Sequence, residues 1–298
     1  MKVYIKVPTL GAGLWIYEGY ANAWKSLGYE VCLYKNLEDI KDKDYYLMAV
    51  DGDVKESAIC TLENSRKTFL FVQPVSFYMP WGRHPNFISA CSVDLINKIK
   101  DLPNLVKWSF GDDFSYHGNW GSPLHTVPLA FDNINYRSLD VEEYNLDVCF
   151  VGGWANNGFD EKRHILKEVK QRFESSGLRC GIFIGQNIPN YDENYILQSS
   201  KVALNVHDAY QRVLGFDTNE RTFKSLGANG ILISDSIKQL IRLFPDVKTS
   251  RNTEQLIDYA REYCFMSDSN LLEIKQENKK NVLENHTYTC RVKKFLSL

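Results

Sequence analysis

The chain has 298 residues, of which 44% are hydrophobic and 13% aromatic, enough for two cores of roughly 130–150 residues each and too apolar for a largely disordered protein. Its 35 basic and 37 acidic side chains give a formal charge of −2, which argues against a generally basic nucleic-acid surface, although a local basic groove would not show in the sum. Seven cysteines, at 32, 60, 91, 149, 180, 264 and 290, form no C-x-x-C pair, so reduced thiols in a cytoplasmic protein are expected over disulfides or a metal site.

The N-terminal MKVYIKVPTLGAG opens with a strand and a turn where a signal peptide needs a longer apolar core. After the strand VYIKVP and the GAG turn, the pattern predicts a helix from Leu14 to Leu27 closed by Gly28. A second strand, EVCLY, and a third, YYLMAV, follow, the third ending in Asp51-Gly52-Asp53. FLFVQP and FISACS read as further strands. Short apolar strands alternating with helices predict a parallel sheet covered on both faces. Residues 131–146 lack a core pattern and read as a linker, giving domains 1–132 and 147–298 joined by 133–146. The second series runs from LDVCFVGG through a helix over 161–176, RCGIFIG, a helix near 193–200, VALNVH, a helix over 219–226 and ILISD. Residues 253–263 and 268–298 are helical, the last interrupted around Asn285 to Thr287. The fold class is therefore α/β, with two Rossmann-like domains and a ligand expected in a cleft at the carboxyl ends of the strands. No run approaches the ~20 apolar residues of a membrane-spanning helix, which leaves only peripheral membrane contact.

The stretch from Lys201 to Asp235 is the richest in chemistry. It reads as strand, polar loop, short helix, glycine turn and strand, and Asp217-x-x-Glu220 has the spacing of a capping box that would start the helix. A helix N-terminus beside the carboxyl end of a parallel strand offers N–H groups and a positive dipole to a phosphate, and Arg221 adds a charge. The same pattern also describes an ordinary strand-helix-strand unit with a solvated loop.

Four segments, DVCFVGG followed by Arg163, SKVALNVH, ERTFKSLGANGILISD and the closing HTYTCR, together resemble the GT-B glycosyltransferases, within them the group-1, spore-maturation (CgeB-like) family; the resemblance runs from Pro128 to Phe295. It implies transfer of a sugar from a nucleotide diphosphate sugar, such as a UDP-sugar, to a hydroxyl acceptor on a surface glycan intermediate or a protein side chain. No metal and no cofactor beyond the donor are expected. The donor diphosphate would be held by amides, helix N-termini and basic groups. The resemblance places Gly13, Gly153, Arg163, Gln186, His207, Arg212, Glu220 and Arg221 there, Arg221 matching the arginine of the R-x-F-E motif. The fourth position of that motif, a ribose-binding glutamate in relatives, is Lys224, and Phe216 occupies the position of the paired acid. Glu220 and Lys224, one turn apart, then form either an ion pair or a substitute ribose clamp.

The first half would bind the acceptor and supply any base. Asp51 and Asp53 end a predicted strand and either can take a proton or simply shape the turn at Gly52; His84 is a comparable candidate. Tyr78, Trp81, Trp108 and Trp120 lie in Gly- and Pro-rich segments and either stack on a sugar or anchor loops into the core. The resemblance makes His286 a fastener for the last helix, which in GT-B proteins often crosses back to the first lobe. Two other readings stay open: a transferase acting on a modified nucleic-acid base, and a non-catalytic nucleotide-sugar binder, the latter motivated by Lys224. Nothing in the pattern bears on oligomeric state.

Overall fold

The computed structural model of the chain describes residues 1–7, 12–75, 88–141, 143–153, 161–215 and 217–298. These divide into two compact units, one made of Met1–Pro128 with Tyr288–Leu298 and the other of Leu129–Thr287. The first unit contains β1 (Lys2–Lys6), α1 (Ala12–Ser26), β2 (Glu30–Tyr34), β3 (Tyr46–Val50), α2 (Ile59–Asn64), β4 (Lys67–Phe71), α3 (Val93–Ile99), β5 (Leu105–Ser109) and β6 (His125–Thr126). Its strands form one parallel sheet in the order β2-β1-β3-β4-β5-β6. Ala12 and Gly13 already belong to α1, so the expected turn is the start of the helix; Gly28, at φ +86°, follows its end. The described part of FISACS, residues 88–92, is irregular and not a strand, and the Ser92 hydroxyl caps α3 by accepting the Leu95 N–H. The strand missed nearby is LVKWS. Its Lys107 breaks the apolar run, yet is only 3% exposed because its ammonium donates to the Trp120 carbonyl at 2.7 Å.

The second unit contains β7 (Leu146–Gly152), α4 (Glu161–Glu174), β8 (Cys180–Ile184), α5 (Asn190–Gln198), β9 (Ser200–Asn205), α6 (Ala209–Leu214), α7 (Glu220–Lys224), β10 (Leu232–Ser234), α8 (Lys238–Leu243), β11 (Lys248–Thr249), α9 (Thr253–Cys264) and α10 (Asp268–Asn285). Its sheet is parallel in the order β11-β10-β9-β7-β8. The core packs Val148 and Phe150 of β7 and Val202 and Leu204 of β9 with Leu166 and Phe173 of α4 and Ile257 of α9. The capping box lies at Asp208 and Gln211, where it starts α6, while α7 is capped by Asn219, whose side chain accepts the Thr222 N–H; the Asp217 spacing therefore does not start the helix. Beyond α7 the helix widens over Ser225–Asn229 and ends at Gly230, at φ +93°, where a Cβ would lie 2.5 Å from the Lys275 carbonyl oxygen. Residues 131–145 are irregular but not a solvated tether: Phe131, Asp132 and Tyr136 are buried in this unit. Among the described residues no helix is long and apolar enough to cross a membrane.

The last helix, α11 (Tyr288–Ser297), belongs to the first unit. Its Arg291 Nε donates to the Pro128 carbonyl at 2.8 Å, and its aromatic side chains enter the first core, with Tyr288 4.8 Å from Tyr20 and Phe295 4.9 Å from Trp108. The approach of α11 to α1 requires Gly19, since a Cβ there would sit 2.3 Å from the Tyr288 ring. Gly19→Ala should therefore cost about 1–3 kcal/mol through overpacking, read as a lowered melting temperature; an unchanged one would show that α11 docks elsewhere.

Candidate functional site

Each sheet reverses its strand order once, between β1 and β3 in the first unit and between β7 and β9 in the second. The carboxyl ends of the strands flanking such a reversal are where open parallel sheets bind ligands. In the second unit that position is occupied by Arg221, from the first turn of α7. Its Nε donates to the Val151 carbonyl at 2.7 Å, its Nη1 to Asn205 Oδ1 at 3.0 Å, and its guanidinium lies 4.8 Å above the Phe150 ring. One cation thus ties the end of β7 to the end of β9. Burial lowers its pKa, and Asp208, Glu193, Glu220 and Asp235 counter that, so the group remains a cation. Gly152 makes room for it, because a Cβ there would lie 2.0 Å from Arg221 Nη2.

Around Arg221 the candidate donor residues take different positions. Gly153 continues β7 with its Cβ direction open to 4.0 Å from Gly185 Cα, and Gln186 is exposed just beyond β8. Arg163 is exposed on α4; the neighbouring Lys162 is the one that turns inward, 5% exposed and paired with Asp208 Oδ1 at 2.8 Å. Successive residues on a helix are about 100° apart, so a one-residue shift in the basic position reverses which of them is buried. Burial lowers the Lys162 pKa, with Asp208 opposing it. His207 is fully buried, with Nδ1 2.6 Å from Asp235 Oδ1 and Nε2 2.8 Å from Thr218 Oγ1, so its ring contacts protein on both nitrogens. Arg212 Nε lies 3.0 Å from Asp235 Oδ2. Burial acts to raise the Asp235 pKa, but His207 and Arg212 outweigh it and hold the carboxyl below its ordinary value.

Lys224 is 6% exposed, and its ammonium is 3.1 Å from Glu193 Oε2, which also accepts the Tyr136 hydroxyl at 2.5 Å. Glu220, 8% exposed, has its pKa pushed up to about 7, first by burial and further by Glu193 and Asp132, against the opposing charges of Lys224 and Arg221. A groove of about 660 Å³ lined by Arg179, Lys201, Lys275, Lys279 and Asp268 lies toward the amino ends of the strands, away from Arg221. Its charges are mixed and Arg179 is already paired with Asp147, so the switch point is the better place for the chemistry.

In the first unit, Lys6 at the end of β1 pairs at 2.5 Å with Asp53 beyond β3, across the strand reversal. Asp51 is fully buried; its Oδ2 accepts the Gln73 N–H at 2.8 Å, and burial raises its pKa. Gly13 lies in the first turn of α1, 3.9 Å from the Tyr17 ring at its Cβ position. Trp120 is a core residue, 0% exposed, with Nε1 donating to the Gln73 carbonyl, and Trp108 lies on β5; neither presents a face to a sugar. His84, Tyr78 and Trp81 lie outside the described residues. Lys6, Lys162, Asn205, Thr222 and Asp235 were not singled out from the sequence, although Asp235 closes ILISD and Asn205 sits in the L-N strand end.

This architecture, two parallel Rossmann-like α/β sheets, is that of the GT-B glycosyltransferases. A sequence model of the glycosyl transferase-like family matches residues 144–297, and the chain belongs to that family. No curated protein matches it. Similar solved structures include an E. coli chain described as trehalose-6-phosphate bound with UDP-2-fluoro glucose, at 8% identity, covering 100% of this chain and 98% of that one with a TM-score of 0.60. A glycosyltransferase involved in avilamycin A biosynthesis matches at 11% identity, 99% and 96% coverage and a TM-score of 0.59. An alpha-glucosyltransferase in complex with UDP and a 13-mer DNA containing an HMU base matches at 12% identity, 99% and 97% coverage and a TM-score of 0.59.

Two outcomes follow from the packing at the switch point. Gly152→Ala should lower stability in urea by about 1–3 kcal/mol by displacing Arg221, whereas Gly153→Ala should be near neutral; equal effects would contradict the close approach. Glu220 has a folded pKa near 7, above its ordinary 4.5, so the folded state binds the extra proton and stability should fall as pH rises from about 4.5 to about 7. Glu220→Gln should flatten that limb and be the more stable protein at pH 8, as measured by unfolding across pH; a steeper limb would refute the assignment.

Proposed function

We propose that the protein transfers a sugar from a UDP-sugar to a hydroxyl acceptor, a surface-glycan intermediate or a protein side chain, without a bound metal. The observation that carries this reading is Arg221, a cation pinned at the strand reversal in a member of a sugar-transferase family. As the donor C–O bond breaks, negative charge collects on the leaving diphosphate, and a fixed guanidinium in a largely dry site stabilises it without reorganising. Lys162 and Arg212 add positive charge around the same strand ends. UDP is favoured because similar folds have been solved with UDP, UDP-glucose and UDP-2-fluoro glucose.

Asp53 is the proposed group to take the acceptor proton, since Asp51 is fully buried whereas the Asp53 side chain keeps 18% of its surface exposed. Glu220 is the proposed ribose partner, because Lys224 is engaged with Glu193. The closing HTYTCR favours the CgeB-like branch of the family, and the scattered cysteines favour a cytoplasmic site of action.

Thermal stabilisation by a panel of nucleoside diphosphates and their sugars, with and without a chelator, tests the reading. UDP and one UDP-sugar should raise the melting temperature equally in both conditions, and Arg221→Ala should abolish both the shift and the release of UDP. No shift with any nucleotide would overturn it, and salt-sensitive binding of DNA would transfer the acceptor assignment to nucleic acid.

A further inference from the structure

Sugar transfer as proposed leaves a run of buried polar side chains behind Arg221 without a task. Asn205, Thr222, Thr218 and His207 are 0% exposed and Asp235 is 3% exposed. They form a continuous line: Arg221 Nη1 to Asn205 Oδ1 at 3.0 Å, Asn205 Nδ2 to Thr222 Oγ1 at 3.0 Å, Thr222 Oγ1 to Thr218 Oγ1 at 2.6 Å, Thr218 Oγ1 to His207 Nε2 at 2.8 Å, and His207 Nδ1 to Asp235 Oδ1 at 2.6 Å.

With a neutral His207 ring, the two ends fix the direction of the bonds between them. A guanidinium only donates, so Asn205 must turn its oxygen toward Arg221 and its amide N–H toward Thr222. Thr222 accepts that N–H and donates its own hydroxyl proton to Thr218. Thr218 in turn donates to Nε2 of His207, which leaves the ring proton on Nδ1, facing the Asp235 carboxylate. Asn219 locks the first link, accepting from Asn205 Nδ2 at 2.9 Å and donating to Asn205 Oδ1 at 3.2 Å. Asp235 is anchored in turn by the His207 backbone N–H at 3.2 Å and by Arg212 Nε at 3.0 Å.

We infer that Asp235, His207, Thr218, Thr222 and Asn205 are positioning residues that orient Arg221 through this one-directional chain. The inference rests on the sugar-transfer reading of Arg221 and deepens it. Each of the four groups between Arg221 and Asp235 both accepts and donates, so every link polarises the next and the Asp235 charge reaches the guanidinium through five hydrogen bonds. The chain holds the Nη1 edge against the protein and leaves the Nη2 edge, over Gly152, for the donor diphosphate. His207, placed by its sequence context near a phosphate, acts in this arrangement at one remove from it.

Thr222→Val is close to isosteric and cuts the chain, while Thr222→Ser keeps the hydroxyl. Two readouts separate positioning from packing: the side-chain Nε–H NMR signal of Arg221, assigned by its loss in Arg221→Lys, and UDP release with UDP-glucose as the probe. In Thr222→Val the Arg221 signal should shift or broaden and kcat should fall about tenfold with KM changed by less than about twofold, and Thr222→Ser should match the unaltered protein in both. In an Arg221→Ala background, Thr222→Val should add no further loss. An unchanged Arg221 signal in Thr222→Val overturns the inference, as does an equal loss in the valine and serine variants. If Arg221→Ala releases UDP at the full rate, the sugar-transfer role of Arg221 fails, while the NMR comparison still decides the positioning.

Discussion

The second unit is organised around one requirement: a single guanidinium must find acceptors on two strands that meet where the sheet reverses. Arg221 meets it with the Val151 carbonyl on β7 and the Asn205 side chain beyond it on β9. A buried donor without a partner costs about 1–3 kcal/mol, so each partner constrains its neighbours. Gly152 has to lack a side chain, Phe150 supplies a ring under the cation, and α7 has to begin at Glu220, behind the Asn219 cap, for the arginine to reach both strand ends. The segments CFVGG, LNVH and NERTF are thus three parts of one steric and hydrogen-bonding solution.

The first unit repeats the topology with different chemistry. Its order β2-β1-β3-β4-β5 corresponds to β8-β7-β9-β10-β11, and a cation again crosses the reversal, here Lys6 toward Asp53. An arginine presents a planar fork suited to a diphosphate, whereas a lysine is a point charge that can hold one carboxylate ready for a hydroxyl. The proposed division of labour, charge stabilisation in one unit and proton acceptance in the other, rests on that difference between the two cations.

What was legible in the sequence is what depends on local pattern. The strands from β1 to β4 and from β7 to β10 are apolar runs bounded by turn residues, and periodicity finds them. β5 escaped because Lys107 interrupts it, and the lysine is tolerated there only through the Trp120 carbonyl, 13 residues away. The helix expected over 219–226 is there as α7, but its cap is Asn219 and not Asp217, and the short α6 before it, which carries the real capping box at Asp208 and Gln211, lay hidden in what reads as a polar loop. Motif resemblance singled out Arg221, which lies at the switch point, and Arg163, which is exposed while its neighbour Lys162 is buried, since a motif does not record which way a helix is turned. The tryptophans of the Gly-rich segments were ambiguous between stacking and anchoring, and the packing around Trp108 and Trp120 settles them as anchors.

Lys224 shows why a single motif position is a poor guide to lost function. Its surroundings are gathered from distant parts of the chain: Asp132 and Tyr136 from the segment before β7, Glu193 from α5 and Glu220 from its own helix. Glu193 and Glu220 are buried near each other and near Asp132, and their mutual repulsion contributes to the raised pKa of Glu220. A glutamate at 224 would add a fourth carboxylate to that set with Arg221 as the nearby opposing cation, and a buried charge without a partner is among the costliest arrangements a fold can hold. The lysine is thus matched to Glu193, and the departure from the family pattern belongs to a rearranged set of charges in which the carboxylates sit at 193 and 220. Position 224 read by itself points to a degenerate enzyme; read with Glu193, Glu220 and Tyr136, it is one member of a buried charge set that has redistributed its acids.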